Sequence, residues 1–328
     1  MYTDEDLNNA VEQGIFTETA VKDFRSSISQ SKHSPAVDEE NFKLISGFND
    51  IFVVIACAIL LISSAWVGKS FNTTFAMSLL CLLSWGLSEF FVLKRQMALP
   101  AIMLLIAFVG SVFSLSITLA GGENGISFAA AASAVAAWLH WRRFKVPITV
   151  VAGVAATLAL VISVILSAFP SVKNYLLILI FLAGAITFFI AMAWDSADRE
   201  RLTRNSDIAF WLHLLAGPLI VHPIFSSLTI LQENTTLTTI VAIVLIYLLL
   251  TLISLIIDRR ILMVSSLIYV LYAVNQLLET VGHISDSIAI SGIIISFSLL
   301  LLSAFWHKLR HQLIKFSPEI IQSKVPPI

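Results

Sequence analysis

Charged residues are scarce in this sequence. Only 12% of its 328 residues are charged and 58% are hydrophobic, whereas ordinary soluble domains contain about 25% charged residues. One compact core could not hide so much apolar surface, so the composition excludes a soluble globular fold. It predicts a protein that is partly solvated by lipid.

Cysteine, net charge and catalytic motifs are also in short supply. The two cysteines, Cys57 and Cys81, are too few for a disulfide framework or a thiolate metal site. A net charge of −1 leaves no basic surplus, which excludes nucleic acid as a partner. The sequence contains no HExxH, no GxSxG and no GxxxxGKS-type phosphate loop. We therefore expect no metal, no cofactor and no familiar catalytic site.

Apolar runs long enough to cross a bilayer recur ten times along the chain. A hydrocarbon core of about 30 Å requires roughly 20 apolar residues per helix. Runs such as 240–257 are apolar on every side, which favours helices over the alternating strands of a barrel. The sequence therefore predicts an all-α fold, a polytopic transmembrane helical bundle with ten spans. These spans are 51–68, 71–93, 98–119, 126–141, 146–169, 174–194, 207–231, 236–257, 261–281 and 286–307.

Lysine and arginine occupy alternate connections between these spans. All 20 bases except Lys69 and Lys173 fall on the side that also holds both termini. Because cytosolic loops are enriched in bases, we expect the N-terminus and the C-terminus in the cytosol. The alternation requires span 126–141 to cross as well, although it is short and rich in alanine. Its small residues suit close helix packing, and they include Ala129, Ser133 and Ala137.

Residues 1–49, which we name the N-terminal region, are acidic and belong in water. Thr3 or Asp4 can cap a first short helix, and Thr17 can cap a second. The two helices would share a thin apolar seam, which is too small to be stable alone. We therefore expect residues 1–30 to dock on the membrane domain, on a second copy of the chain or on a cytosolic protein. The seam comprises Leu7, Val11, Ile15, Phe16, Val21, Phe24 and Ile28.

The predicted domain organisation has three parts, namely the cytosolic N-terminal region of short helices and a linker (1–49), a ten-helix transmembrane domain (50–307) and a cytosolic tail (308–328). A weak repeat lies within the transmembrane domain. Lys94-Arg95 follows the second span as Arg259-Arg260 follows the eighth, and tryptophan and histidine end both the fourth and the tenth. These matches indicate two parallel four-helix units, as in some transporters, or only the interfaces where bases and aromatic residues collect.

The ninth predicted span carries a polar stripe. Its polar side chains recur at intervals of three or four residues, which places them on one helical face. A charge at the helix centre facing lipid costs roughly 2.5–3.5 kcal/mol, so the stripe should face the bundle interior or a wet cavity. One interpretation is a path for a solute or a proton with Glu279 as the titrating group, and the other is a hydrogen-bonded helix seam. The stripe consists of Ser265, Tyr269, Tyr272, Gln276, Glu279 and His283.

The seventh predicted span contains two histidines and two prolines. Pro218 and Pro223 remove backbone donors, so the helix is expected to bend near them. His213 and His222 are too far out of phase to ligate one metal in an ideal helix. We expect both to be neutral and bonded to a freed carbonyl or a serine. His222 lies at a depth comparable to that of Glu279, so these two side chains could pair.

Further predictions concern charged and aromatic side chains near the span ends. Glu89 has no partner one turn further along the second span and is expected to reach Lys94, another helix or water. The charged residues between 195 and 204 are expected to form a solvated loop with internal ion pairs. Tryptophans near the span ends are expected to anchor the interface, and these are Trp66, Trp138, Trp141, Trp194 and Trp306.

Three segments carry a likeness to other proteins. The N-terminal region contains Asp4-Glu5-Asp6-Leu7 and continues through Glu12-Gln13-Gly14-Ile15-Phe16-Thr17. The first span opens with Ser46-Gly47-Phe48-Asn49-Asp50-Ile51, and the seventh opens with Ser206-Asp207-Ile208-Ala209-Phe210-Trp211. These motifs resemble a bacterial family of uncharacterised multipass membrane proteins of unknown function that begin with short helices. The resemblance implies a location in the bacterial inner (cytoplasmic) membrane and implies no particular activity.

The sequence leaves three functional hypotheses open. The first is a membrane protein that transports or binds a small solute along the polar stripe, with His213, His222 and Glu89 as further candidate residues. The second is a non-transporting sensor or scaffold that acts through the N-terminal region. The third, less favoured because catalytic motifs are lacking, is a membrane-embedded enzyme that uses His213, His222 and Glu279.

The alternation of bases predicts which side of the membrane each loop faces. A reporter fused after Gly122, between the third and fourth spans, should lie outside the cytosol. Alkaline phosphatase, which folds only in an oxidising compartment, should therefore be active at this position. A fusion that is inactive there, together with a fluorescent cytosolic reporter at the same site, would contradict the topology.

Overall fold

Helices make up the regular structure of the described chain. The computed structural model describes residues 4–32, 48–121, 125–201, 203–228, 236–282 and 286–327, and this part of the chain contains no strand. Helices satisfy their own backbone groups, as a chain in lipid must. They are α1 (Asp4–Glu12), α2 (Glu18–Lys32), α3 (Phe48–Lys69), α4 (Thr73–Ser88, extended by a π-helical turn, Glu89–Lys94), α5 (Ala98–Ala120), α6 (Gly125–Phe144), α7 (Pro147–Ala168), α8 (Leu176–Ala197, preceded by a 3₁₀ turn, Pro170–Tyr175), α9 (Arg204–Ser227), α10 (Leu237–Ile257), α11 (Ile261–Gly282), α12 (Ser287–Lys315) and α13 (Glu319–Gln322).

Nine helices in the described ranges are long and apolar enough to cross a membrane. They coincide with nine of the predicted spans, and the fold is the predicted all-α polytopic bundle. The predicted span outside this group is α6, which is 20 residues long and rich in alanine. Serines, a histidine and two arginines lower the mean hydropathy of α6, so composition alone does not mark it as a span.

Packing nevertheless places α6 alongside its neighbours over its whole length. Gly125, at its start, lies against the carbonyl of Ile117 in α5, and Phe144, at its end, packs with Ala101. α6 therefore runs antiparallel to α5 from one end of that helix to the other. The predicted small-residue face is buried, and it consists of Ala129, Ser133 and Ala137.

Short connections keep consecutive helices antiparallel. Residues 145–146 join α6 to α7, and residues 258–260 join α10 to α11. Gln96, Lys145 and Asp258 have positive φ angles of 51°, 55° and 58°, and a left-handed residue of this kind is a common helix stop. These turns lie at one end of the bundle, where α4, α6, α8 and α10 finish, and we name it the basic end.

Each of the two predicted four-helix units has a contact between an acid and an arginine at the basic end. In the first unit Glu89 of α4 pairs with Arg143 of α6, with 2.8 Å between Oε2 and Nη2. In the second unit Asp258, just after α10, lies 3.5 Å from Nε of Arg310 in α12. An acid and an arginine thus lie between the second and fourth helices of each predicted unit. The repeat itself stays a prediction.

Trp306 differs from the other tryptophans predicted to anchor the interface. Trp66 and Trp138 are exposed as predicted, but Trp306 is 1% exposed and its indole donates to Asp258 over 2.9 Å. The anchor prediction was therefore wrong for Trp306. The reason is that Asp258 in the α10–α11 turn supplies a buried acceptor for the indole, and that α12 continues to Lys315, so Trp306 does not lie at a helix end.

The N-terminal region contains the two predicted helices, α1 and α2. Thr17 caps the second, because its hydroxyl accepts from the amide of Ala20 over 3.2 Å. Val21 is buried, whereas Ile15 and Phe24 remain 64% and 52% exposed. The two helices therefore cover little of their own apolar seam, and its docking partner stays a prediction.

Close packing of α8 against α9 can be tested at Gly184. A Cβ added to Gly184 would lie 2.8 Å from the backbone carbonyl carbon of Leu219, so Gly184→Ala should destabilise the fold by about 1–3 kcal/mol. Gly110→Ala in α5 is the matched control, because a Cβ there would meet nothing within 4 Å. Thermal unfolding in detergent measures both, and equal melting temperatures for the two variants would contradict the packing.

Candidate functional site

The polar stripe of α11 lies beside α9. Gly217 of α9 fits against the side chains of Ser265 and Ile261, so the two helices come close where α9 has no side chain. α9 itself continues as a helix through Pro218 and Pro223. The stripe therefore borders an α9–α11 contact that is tight at Ser265.

His222 and Tyr269 form the central contact between the two helices. The Nδ1 atom of His222 lies 2.7 Å from the Tyr269 hydroxyl, and Ser226 Oγ lies 3.4 Å from the same nitrogen. The ring of Phe225 stacks on Tyr269 at 4.7 Å with an angle of 7°. His222 is exposed and Tyr269 is half-buried, so this hydrogen-bonded pair lies at an accessible edge of the bundle.

Glu279 is held by groups that the sequence pattern did not single out. Its Oε1 accepts from Nδ2 of Asn275 over 3.1 Å and lies 3.0 Å from the Ser287 hydroxyl of α12. The same hydroxyl lies 2.8 Å from Oδ1 of Asn275. Asn275 is one turn from Glu279 but off the stripe, and Ser287 belongs to the next helix, so helical spacing within α11 could not reveal this cluster.

Within the described chain, the remaining residues of the stripe do not take part in these contacts. Gln276 Nε2 donates to the Tyr272 hydroxyl over 3.4 Å. His283 lies outside the described residues. The pairing of His222 with Glu279 does not form, because His222 bonds to Tyr269 and Glu279 bonds to Asn275.

His213 was expected to bond to a carbonyl or a serine, and this prediction was wrong. Its Nε2 lies 2.9 Å from Oδ2 of Asp195, at the end of α8. Asp195 also accepts from Arg259 of the α10–α11 turn, over 2.6 Å to Oδ1 and 3.3 Å to Oδ2. Asp195 and Arg259 are far from His213 in sequence, so only the packing of α8 and of the α10–α11 turn against α9 brings them together.

These residues belong to a buried ion cluster at the basic end. Arg201 of the α8–α9 loop donates to Oδ2 of Asp258 over 3.2 Å and to its carbonyl over 2.9 Å. Burial lowers the pKa of Arg201 to about 10, against the opposing pull of Asp258, and the guanidinium stays protonated at neutral pH. We define the ion cluster as Asp195, Arg201, His213, Asp258, Arg259 and Arg310, which are all buried.

The prediction of a solvated loop between residues 195 and 204 was therefore wrong for Asp195, Asp198 and Arg201, which are buried. Asp198 accepts from the amide and the hydroxyl of Thr203, over 2.9 and 2.7 Å. The partners of Asp195 and Arg201 lie on α9 and on the α10–α11 turn, so a pattern of neighbouring residues in the sequence could not predict them.

The last residues of the chain cover the ion cluster. Arg199 donates to the carbonyls of Val325 and Gln322 over 2.9 and 3.0 Å. Arg310 donates to the carbonyl of Pro326 over 2.7 Å, and Val325 is 2% exposed. The tail thus supplies oxygen acceptors to arginines at the edge of the cluster.

Glu89 reaches another helix, one of the three outcomes expected for it. Its carboxylate accepts from both Nε and Nη2 of Arg143, over 2.9 and 2.8 Å. The arginine is exposed, so this bidentate pair lies at the surface of the basic end, away from the stripe.

The accessible polar groups of α9 and α11 form the best candidate site. We name this surface the groove and define it by His222, Tyr269, Tyr272, Gln276 and Glu279. It combines an imidazole, two phenols, an amide and a carboxylate, of which His222 and Glu279 are exposed. Within the described ranges, no three His, Cys, Asp or Glu side chains are placed to hold a metal ion.

The fold and the composition together define an integral membrane protein, an all-α polytopic bundle. Comparisons with protein-family models, with curated proteins and with solved structures found no match.

The ion cluster should be far more sensitive to substitution than the surface pair. Arg259→Gln leaves Asp195 buried without its guanidinium, and breaking a buried pair in this way costs roughly 3–5 kcal/mol. Arg143→Gln removes an exposed partner of Glu89 and should have a much smaller effect. Thermal melting of both variants in detergent measures the difference, and similar losses would mean that Asp195 does not depend on Arg259.

Proposed function

We propose that this membrane protein binds or transports a small polar solute along the groove. The observation that carries the proposal is the exposure of His222 and Glu279 within segments that are apolar enough to span a membrane. A strongly polar group that faces hydrocarbon is costly. Water or a polar ligand at the groove removes this cost.

The chemistry of the groove favours a solute that carries hydroxyl or amino groups. Glu279 accepts hydrogen bonds, and Gln276 both donates and accepts. The hydroxyls of Tyr269 and Tyr272 do both and add aromatic faces against which an apolar part of a solute can pack. A proton is the alternative cargo, since His222 and Glu279 are both titratable.

The same proposal includes a topology of ten spans with both termini in the cytosol. The alternation of bases and the placement of α6 alongside α5 and α7 support it. A bacterial inner membrane is proposed on the resemblance of the N-terminal region and of the first and seventh spans, which also makes the uncharacterised bacterial multipass family the proposed family.

A non-transporting sensor or scaffold is the second candidate. The exposed apolar side chains of Ile15, Phe16 and Phe24 in the N-terminal region favour it, because such a surface suits a second copy of the chain or a cytosolic partner. This candidate predicts that removal of residues 1–40 abolishes function while Glu279→Gln is silent. An enzyme is less favoured, because His213 and His222 bond to different groups on different helices.

Access of water to the groove is the decisive test. In a background with Cys57 and Cys81 replaced by serine, Gln276→Cys and Tyr272→Cys each place one thiol in the groove. A membrane-impermeant maleimide needs a hydrated thiolate, so both should be labelled in native membranes. Adding the reagent to the cytosolic face and to the external face in separate experiments shows from which side the groove opens.

Leu245→Cys is the matched control. Leu245 of α10 is 60% exposed and lies at a similar distance from the α10–α11 turn as Tyr272, but its surface is apolar. We expect it to react more slowly than Gln276→Cys by on the order of tenfold or more. Equal, slow labelling at all three positions would mean that water does not reach the groove, and the proposal would fail.

A further inference from the structure

The basic end carries an exposed group of cations that the groove does not use. Arg95 lies 5.7 Å from the ring centre of Phe90, Arg142 lies 5.0 Å from Trp138, and Lys145 lies 5.4 Å from Trp141. Each of these cations lies near an aromatic ring, a contact that is weakly stabilising at an exposed site. Lys94 lies 6.0 Å from Phe90 and completes the group.

Among the described residues none of these cations forms an ion pair with a carboxylate, although Glu89 attracts Lys94 at longer range. Glu89 is the nearby acid, and its two oxygens are both taken by Arg143. The ends of α4 and α6 therefore present an excess of positive charge. We name Lys94, Arg95, Arg142 and Lys145 the basic patch.

In the second predicted four-helix unit, oxygen acceptors from the C-terminal residues bind an arginine at the basic end. There Arg310, the counterpart of Arg143, donates to the carbonyls of Pro326 and Pro327 over 2.7 and 3.3 Å. The chain's own tail thus supplies oxygen acceptors and covers that end. In the first unit no described segment covers the basic patch, and its four cations are exposed.

We propose that the basic patch binds the headgroup of an anionic phospholipid. Phosphate oxygens accept from arginine and lysine in the way that the tail carbonyls do in the second unit. A lipid fits better than a soluble anion because exposed apolar side chains continue from the patch along α4 and α6. These include Leu82, Phe90, Val135 and Leu139, against which acyl chains can lie.

The test uses the purified full-length protein in a neutral detergent. Binding of dioctanoyl-phosphatidylglycerol and of dioctanoyl-phosphatidylcholine is measured by native mass spectrometry, with the unliganded melting temperature as a check on folding. We expect preferential binding of the anionic lipid. Arg95→Gln combined with Arg142→Gln should weaken that binding roughly 30-fold while leaving the phosphatidylcholine result unchanged.

Lys69→Gln combined with Lys173→Gln is the matched control, because it removes two exposed bases from the opposite end of the bundle. This variant should bind the anionic lipid as the unmodified protein does. If the double arginine variant is unfolded, Arg142→Gln and Lys145→Gln are measured singly, each with a smaller expected loss.

Three results would overturn the proposal. The first is equal binding of the two lipids, and the second is equal loss in the arginine and lysine variants. The third is displacement of the bound lipid by millimolar inorganic phosphate, which would identify a site for a free anion.

Discussion

A carboxylate buried between helices needs an opposite charge beside it. In this bundle the carboxylate on which the assembly depends is that of Asp195. Its two oxygens accept from His213 of α9 and from Arg259 of the α10–α11 turn. An uncompensated charge at this depth would be strongly destabilising, so α8, α9 and the turn have to assemble together. Asp258 extends the same constraint to α12 through Trp306. α9 and α11 are thereby fixed relative to each other at this end, and further along the two helices His222 meets Tyr269.

The protein has two sets of polar groups that differ in exposure. The ion cluster is buried, and the groove is partly exposed. In the ion cluster charges face one another and the C-terminal residues close the surface. In the groove the side chains also form hydrogen bonds, but His222 and Glu279 remain exposed. A site for a solute needs groups that can exchange partners, whereas a site that holds helices together needs groups that cannot. The acid–arginine contact shows the same division, since Glu89–Arg143 is open and Asp258–Arg310 is covered.

Helical spacing predicted the long helices and the shared face of the α11 stripe, because both depend on residues close together in sequence. The same spacing predicted that Ala129 and Ala137 pack closely. It failed for the charged loop after α8, for the partner of His213 and for Trp306. In each of these cases the missing partner lies on another segment, and no local pattern contains its position. Asn275 and Ser287 escaped for the same reason, since their roles depend on how α11 meets α12.

The sequence by itself determined that the chain is a helical membrane protein, because hydrophobic run length and hydrogen-bond satisfaction in lipid leave no other fold for such a composition. Only the tertiary structure decided which polar groups are buried in pairs and which stay accessible. Charge–charge contacts depend on a few ångströms between segments that are distant in sequence, whereas hydropathy is a sum over neighbours. Asp195 and Glu279 are both carboxylates at span ends. The helices packed around Asp195 bury it in the ion cluster, whereas those around Glu279 leave it exposed in the groove.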